Sequence, residues 1–171
     1  MCLTDYLSDL LELLMNHADH AEELIRSTVS ESMGRLFIVF STDMIQYIDD
    51  GLKAASPMTK TTIANCVKYF GSKADFEEPL MLSTVAEDLV CLKDEADPEL
   101  KKCAFEGLTA IVHGNFSAVR ELVGDIENFA HQETVVRPEL IEEIDLGSFK
   151  IKKDNGLTMR KAAFRLLETL Y

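Results

Sequence analysis

The chain has no long hydrophobic run: its longest, Leu36-Phe37-Ile38-Val39-Phe40, is five residues, against the roughly 20 that a helix needs to cross a bilayer. Mean hydropathy is +0.01. The N-terminus shows no basic stretch leading into an apolar one, so nothing reads as a signal peptide, and neither a membrane nor a secreted protein is expected. Basic residues are scarce as well. Seventeen Lys and Arg face thirty Asp and Glu, for a formal charge of −13, and a surface that acidic repels phosphate backbones, which argues against sequence-independent nucleic-acid binding. It suits partners that carry basic patches. The four cysteines, Cys2, Cys66, Cys91 and Cys103, show no CxxC spacing and read as thiols buried in helices, not as a disulfide frame.

Linkers are missing too. No Gly- or Ser-rich stretch and no low-complexity segment divides the 171 residues, so residues 1–171 read as one unit. There is no Gly-rich phosphate loop, no GxSxG and no Cys–His arrangement of catalytic spacing, and nothing calls for a cofactor, a metal or a small-molecule substrate. The one group of metal-capable side chains, His17, Asp19 and His20, lies across an expected inter-helix turn and reads as solvated, where a zinc site needs ligands converging from one helical face. His113 and His131 stand alone near helix ends. Adjacent acids (Asp49-Asp50, Glu77-Glu78, Glu87-Asp88) splay around a helix and read as solvated faces. Asn115-Phe116-Ser117 matches a glycosylation sequon but reads as a helix N-cap.

What the chain does have is a period. Arg26, Lys60, Lys101 and Arg160 each precede apolar residues at offsets of 3, 7 and 10: Val29, Met33 and Leu36; Ile63, Val67 and Phe70; Ala104, Leu108 and Ile111; Ala163, Leu167 and Leu170. Those offsets share one face of a 3.6-residue helix. The four basic marks stand 34, 41 and 59 residues apart; the first two spacings lie near the roughly 40–47-residue period of helical HEAT repeats. Each marked helix follows another amphipathic stretch, at 6–16, 43–54, 80–92 and 117–132. Ser56-Pro57 and Asp97-Pro98 read as cap-then-proline helix starts, and Gly71 and Gly114 as left-handed helix ends. The pattern predicts eight helices in four antiparallel pairs, an all-α HEAT-repeat superhelix. The last helix stops on Leu170-Tyr171, and Leu3, Leu7, Leu10, Leu11 and Leu14 form an apolar face at the start, so both ends resemble the cut faces of a longer stack.

The long third spacing predicts an insert in the last repeat, at about residues 135–155. Acids crowd its first half (Glu139, Glu142, Glu143, Asp145) and lysines its second (Lys150, Lys152, Lys153). A turn at Leu146-Gly147 would pair them across a β-hairpin, and Phe149-Lys150-Ile151-Lys152 alternates with the strand period. A short helix over Pro138–Ile144 is the competing reading, and the hairpin's register is left open between two pairings one residue apart. Because a lone hairpin is marginal in water, one projecting from a helical stack is expected to be held by a partner.

The segment Glu133-Thr134-Val135-Val136-Arg137-Pro138-Glu139-Leu140-Ile141-Glu142-Glu143-Ile144-Asp145-Leu146-Gly147-Ser148-Phe149-Lys150, with Asp154-Asn155-Gly156-Leu157-Thr158-Met159-Arg160-Lys161-Ala162-Ala163-Phe164, closely resembles the cullin-associated, neddylation-dissociated proteins, the TATA-binding-protein-interacting family. The resemblance is strong over residues 97–171 and weaker back to about Leu13. It implies a piece from near the C-terminal end of a HEAT superhelix that wraps a cullin and its RING-box subunit. It further implies a hairpin that occupies the adaptor's docking site on a cullin lacking the ubiquitin-like modification, so that substrate receptors exchange. The implied protein is a non-enzymatic scaffold of cytoplasm and nucleus, in contrast to a generic HEAT scaffold of the transport-receptor or phosphatase-subunit kind. Residues carried over to partner binding are Arg137, Glu139, Leu140, Ile141, Ile144, Gly147, Phe149 and Lys150, with Phe149 as the expected anchor. The chain departs from the family pattern at Pro138, Ser148 and Lys101-Lys102.

Overall fold

The computed structural model describes residues 6–73, 79–147 and 149–171. Helices α1 (Leu7–Met15), α2 (Glu23–Leu52), α3 (Pro57–Phe70), α4 (Pro79–Cys91), α5 (Pro98–Val119), α6 (Val123–Gln132) and α7 (Leu157–Leu170) carry the fold, and strands β1 (Ile141–Asp145) and β2 (Lys150–Asp154) stand between α6 and α7. Two of the helices are bent. Phe40 breaks α2 with φ −127° and ψ 39°, and Asn115 breaks α5 with φ −144° and ψ 60°. Counting across those bends recovers the four expected pairs: α1 with the first half of α2, its second half with α3, α4 with α5, and α6 with α7. The fold is an all-α stack of HEAT-like helix pairs.

The bend in α2 differs from the separate helix expected at 43–54. No proline or glycine lies between Arg35 and Asp50, so nothing forces the chain out of helix for longer than one residue, and the passage between pairs is made by Phe40 alone.

Packing follows the stripes. Met33, Ile63, Val67, Phe70, Ala104, Leu108, Ile111 and Ala163 are fully buried, because one layer runs α2 on α3, α3 on α5 and α5 on α7. The second layer runs from α2 to α4 and from α4 to α6. Aromatic pairs fill the contacts: Phe37 of α2 stacks on Phe70 of α3 within the first layer, with ring centroids 4.0 Å apart, and Phe105 of α5 meets Phe129 of α6 across the layers at 4.5 Å. Each such side chain removed from water contributes about 1.5–3 kcal/mol.

The caps at Ser56 and Asp97 form as expected. Ser56 Oγ accepts the Thr59 N–H at 3.3 Å, Asp97 Oδ1 accepts the Glu99 N–H at 2.9 Å, and a proline opens each helix. The glycine expectation is corrected. Gly71 has φ −56° and Gly114 lies inside α5; the one glycine with positive φ among the described residues is Gly147. Glycine is needed at 114 because α5 touches the backbone of the turn after α3 there. A Cβ at Gly114 would lie 2.6 Å from the carbonyl carbon of Ser72. Asn115 likewise serves as a bend and a tether, its Nδ2 donating to the Lys73 carbonyl at 2.8 Å.

Two further expectations change. Cys66 and Cys103 are buried, but Cys91 is exposed. Asp88 is not solvated: it is enclosed between α2 and α4, 3.3 Å from Lys53 Nζ, which also bonds Asp49. Burial and the nearby Asp49 carboxylate raise the Asp88 pKa, whereas the Lys53 hydrogen bond lowers that of Asp49. Glu77-Glu78 lies outside the described residues.

Candidate partner-binding hairpin

Charge and period decide the insert's local structure. Pro138–Leu140 forms a single 3-10 turn, the remnant of the alternative helix, and strand pairing takes over at Ile141. The register left open by the sequence is Ile141 with Asp154, Glu142 with Lys153, Glu143 with Lys152, Ile144 with Ile151 and Asp145 with Lys150. Each acid of β1 thus meets a lysine. Lys150 Nζ also reaches diagonally to Glu143 Oε1, 2.7 Å away. The tip closes through Leu146 N–H donating to Phe149 O at 3.0 Å. Gly147 supplies the left-handed residue, with φ +82°, and its N–H is held by Asp145 Oδ1 at 2.8 Å.

Since residues opposite each other in a pair share a face, the hairpin has two unlike sides. One bears Ile141–Asp154, Glu143–Lys152 and Asp145–Lys150. The other bears Glu142–Lys153 toward the base and Ile144–Ile151 toward the tip, where Leu146 and Phe149 lie beside them. Phe149 is 60% exposed, Leu146 51% and Ile151 46%. Apolar side chains are exposed on the helices as well, Leu24 and Leu80 among them; those of the hairpin differ in being neighbours at one tip.

The expected partner-binding residues separate into groups. Ile144, Gly147, Phe149 and Lys150 belong to the hairpin body, and Ile141 starts its first strand. Glu139 is exposed on the 3-10 turn. Leu140 packs against the helical core, and Arg137 turns to the buried Glu133, with NH2 to Oε1 at 2.7 Å. Leu146 and Ile151 were missed as candidates. The signal for Ile151 was present, since it stands two residues from Phe149 and therefore on the same side of an extended strand.

Four polar residues bonded at the two ends of the hairpin were also missed. Glu133 is 1% exposed; its Oε1 takes Lys101 Nζ at 2.6 Å as well as Arg137. Asp154, ending β2, accepts both Arg160 nitrogens, at 3.2 and 2.5 Å, and the Gly156 N–H at 2.9 Å. The Arg160 bonds and the Gly156 N–H hold the Asp154 carboxyl below its ordinary pKa. Lys101 and Arg160 are two of the periodic basic marks. A third, Lys60, bonds Glu95 Oε1 at 2.5 Å, and Arg26 donates to the His20 and Ala21 carbonyls at 2.6 and 3.0 Å. The period is therefore that of a bond from each marked helix to a nearby turn.

The His17–His20 region is the turn the sequence indicates. His17 Nδ1 donates to the Leu13 carbonyl and His20 Nδ1 accepts the Glu22 N–H, and the described residues hold no group of three or more metal-capable side chains. No described helix is long and apolar enough to cross a membrane.

The family model described as TATA-binding protein interacting (TIP20) matches residues 118–171, the hairpin and the helices on either side of it. Over 169 residues the chain is 33% identical to "Cullin-associated NEDD8-dissociated protein 2" of Mus musculus, covering 98% of this chain and 14% of that protein. It is 31% identical to the "Cullin-associated NEDD8-dissociated protein 1" of Drosophila melanogaster over 92% of this chain and 13% of that protein. The "Cullin-associated NEDD8-dissociated protein 1, C-terminal part" of Emericella nidulans matches at 24% over 88% of the chain and 14% of that protein. The chain spans about one seventh of the length of these relatives. With matches along nearly its whole length and the family segment laid over its hairpin, the chain belongs to the cullin-associated NEDD8-dissociated, or TATA-binding-protein-interacting, family.

Proposed function

We propose that this chain is a non-enzymatic binding segment for a cullin–RING-box core, acting as one helical unit over residues 1–171, and that its hairpin contacts the cullin where the substrate-receptor adaptor also docks. Occupation by one excludes the other, so receptors exchange and ligase assembly is regulated. The cullin bound is the form without the ubiquitin-like modification, and the setting is cytoplasm and nucleus. The observation that carries the reading is the apolar tip formed by exposed Leu146, Phe149 and Ile151 with half-buried Ile144 beside them; the names of the relatives supply the partner class.

Aromatic anchors dominate protein interfaces, and Phe149 is the most exposed side chain of this set. Replacing both Phe149 and Ile144 by Asp should lower affinity for an unmodified cullin–RING-box complex by about thirtyfold or more, equivalent to ~2 kcal/mol. Helicity should not change, because neither residue is part of the helical core. Unaltered binding in a pull-down would remove the hairpin from the mechanism.

A further inference from the structure

The hairpin is tied to the helices at both of its ends. On the first leg, Arg137 and Lys101 converge on Glu133 Oε1, at 2.7 and 2.6 Å, which joins the chain just before the hairpin to α5. Lys101 and Glu133 are both buried. On the second leg, Arg160 in α7 grips both oxygens of Asp154, the final residue of β2. The legs are also bound to each other. Asn155 N–H donates to Leu140 O at 2.9 Å, and Gly156 comes so close to Leu140 that a Cβ there would lie 2.8 Å from its Cδ1.

The repeat pattern gives these ties their meaning. Lys60 and Lys101 hold the same place in successive helix pairs and bond to acids at nearly equal distance along the chain, Glu95 and Glu133. The insert begins just after the second of those acids. Arg160, at the same place in the last pair, turns back onto Asp154, where the insert ends. The bond that joins turn to helix elsewhere in the stack is here used at the start and the finish of the hairpin.

We infer that Lys101, Glu133, Arg137, Asp154 and Arg160 are positioning residues that hold the hairpin in its projecting geometry before any partner arrives. An isolated two-stranded hairpin is marginal in water; two ion-paired anchors on rigid helices replace the support of a third strand. This reverses the expectation that a partner holds the hairpin. It rests on the proposed cullin contact for its consequence, since a pre-ordered arm avoids the entropy cost of ordering on binding, but not for the ordering itself.

Amide hydrogen exchange of the whole 171-residue chain without partner tests the ordering. Peptides across 138–156 should exchange slowly in the parent. Arg137→Gln and Asp154→Asn should each speed exchange there by about tenfold or more, as local opening becomes easier, while peptides of α5 and α7 and the far-UV circular dichroism stay as they were. Arg137→Lys, which keeps the charge, should restore slow exchange. Free-peptide rates in the parent, or no change in either variant, would overturn the inference whatever the cullin result. Association with an unmodified cullin–RING-box complex then separates the two readings. Asp154→Asn should slow association while leaving the Phe149 contact intact. Faster exchange with unchanged association would refute the positioning role, and faster exchange with no binding even by the parent would refute the proposed contact alone.

Discussion

Gly114 of α5 lies directly against the backbone of Ser72, so close that a methyl group on its Cα would sit 2.6–2.7 Å from Ser72 Cα, C and O. Backbone atoms cannot step aside as a flexible side chain can. Gly114→Ala should therefore destabilise the chain by about 1–3 kcal/mol through forced separation of the contact, even though alanine is the better helix former. Gly124, with nothing within 4 Å of its Cβ position, is the control. Gly124→Ala should be neutral or stabilising by about 0.5–1 kcal/mol. Chemical denaturation of both variants gives the comparison, and equal effects would disprove the close-approach account.

The two equivalent lysines should differ in what they contribute. Lys60 and Glu95 have side chains 19% and 35% exposed, whereas those of Lys101 and Glu133 are 6% and 1% exposed. Lys60→Met is expected to cost about 1 kcal/mol or less, the range of partly solvated pairs. Lys101→Met removes the buried partner of a carboxylate that has one oxygen without any hydrogen bond, leaving it Arg137 alone, and should cost about 2–4 kcal/mol, below the full range for an uncompensated buried charge. Adding Glu133→Leu to Lys101→Met should recover much of that loss, because a packed apolar pair replaces a buried carboxylate and Arg137, 35% exposed, can turn to solvent. A double-mutant cycle by urea unfolding measures both effects.

Much of this architecture was legible in the sequence, and the reason is periodicity. The stripes behind Arg26, Lys60, Lys101 and Arg160 land in the core because a helix face repeats with the residue spacing itself. The hairpin followed from charge separation about Leu146-Gly147. What the sequence did not disclose depends on pairs far apart along the chain. Lys101 meets Glu133 and Lys53 meets Asp88 through packing of different helices, and no local pattern marks either acid. Gly71 and Gly114 were identified as special for the wrong reason, since a turn and a helix contact ask for the same residue. Within the candidate site, Phe149 stood out by type, whereas Ile151 emerged only when the register placed it opposite Ile144.

Acid should act on two carboxylates in opposite directions. Arg160 and the Gly156 N–H depress the folded-state pKa of Asp154 below its ordinary 3.8. Its stabilising contribution is present above that value and disappears as pH falls through the lower, folded-state pKa. Burial and Asp49 raise the folded-state pKa of Asp88 above 3.8; its ionisation disfavours the fold, and the handicap grows as pH rises from that ordinary value and is complete above the raised one. Asp154→Asn should thus lower the thermal midpoint at pH 7 and Asp88→Asn should raise it. Both differences should shrink in acid, that of Asp88→Asn at the higher pH because its carboxyl protonates first. Thermal melts from pH 7 down to about 3 check the order, and a stabilising Asp154→Asn at neutral pH would contradict it.

Thiol reactivity should report the stack without any partner. Cys91 is exposed at the end of α4, whereas Cys66 and Cys103 are buried in α3 and α5. Burial alone pushes the Cys66 thiol far up; burial with the nearby Glu99 and Glu106 charges pushes that of Cys103 up to about 12. The thiolate is the reacting species, so at pH 8 both buried thiols are almost wholly protonated as well as shielded. Maleimide labelling of the native chain followed by peptide mapping should modify Cys91 within minutes. Cys66 and Cys103 should react only through unfolding, at a rate that rises with urea along the unfolding transition. Glu99→Gln should lower the Cys103 thiol's pKa without exposing it, leaving native labelling slow. Rapid native labelling of Cys103 in the parent would mean that α5 parts readily from α3, whose Thr62, Asn65 and Lys68 lie beside it, and the helix that carries Lys101 would then be held far more loosely than its packing implies.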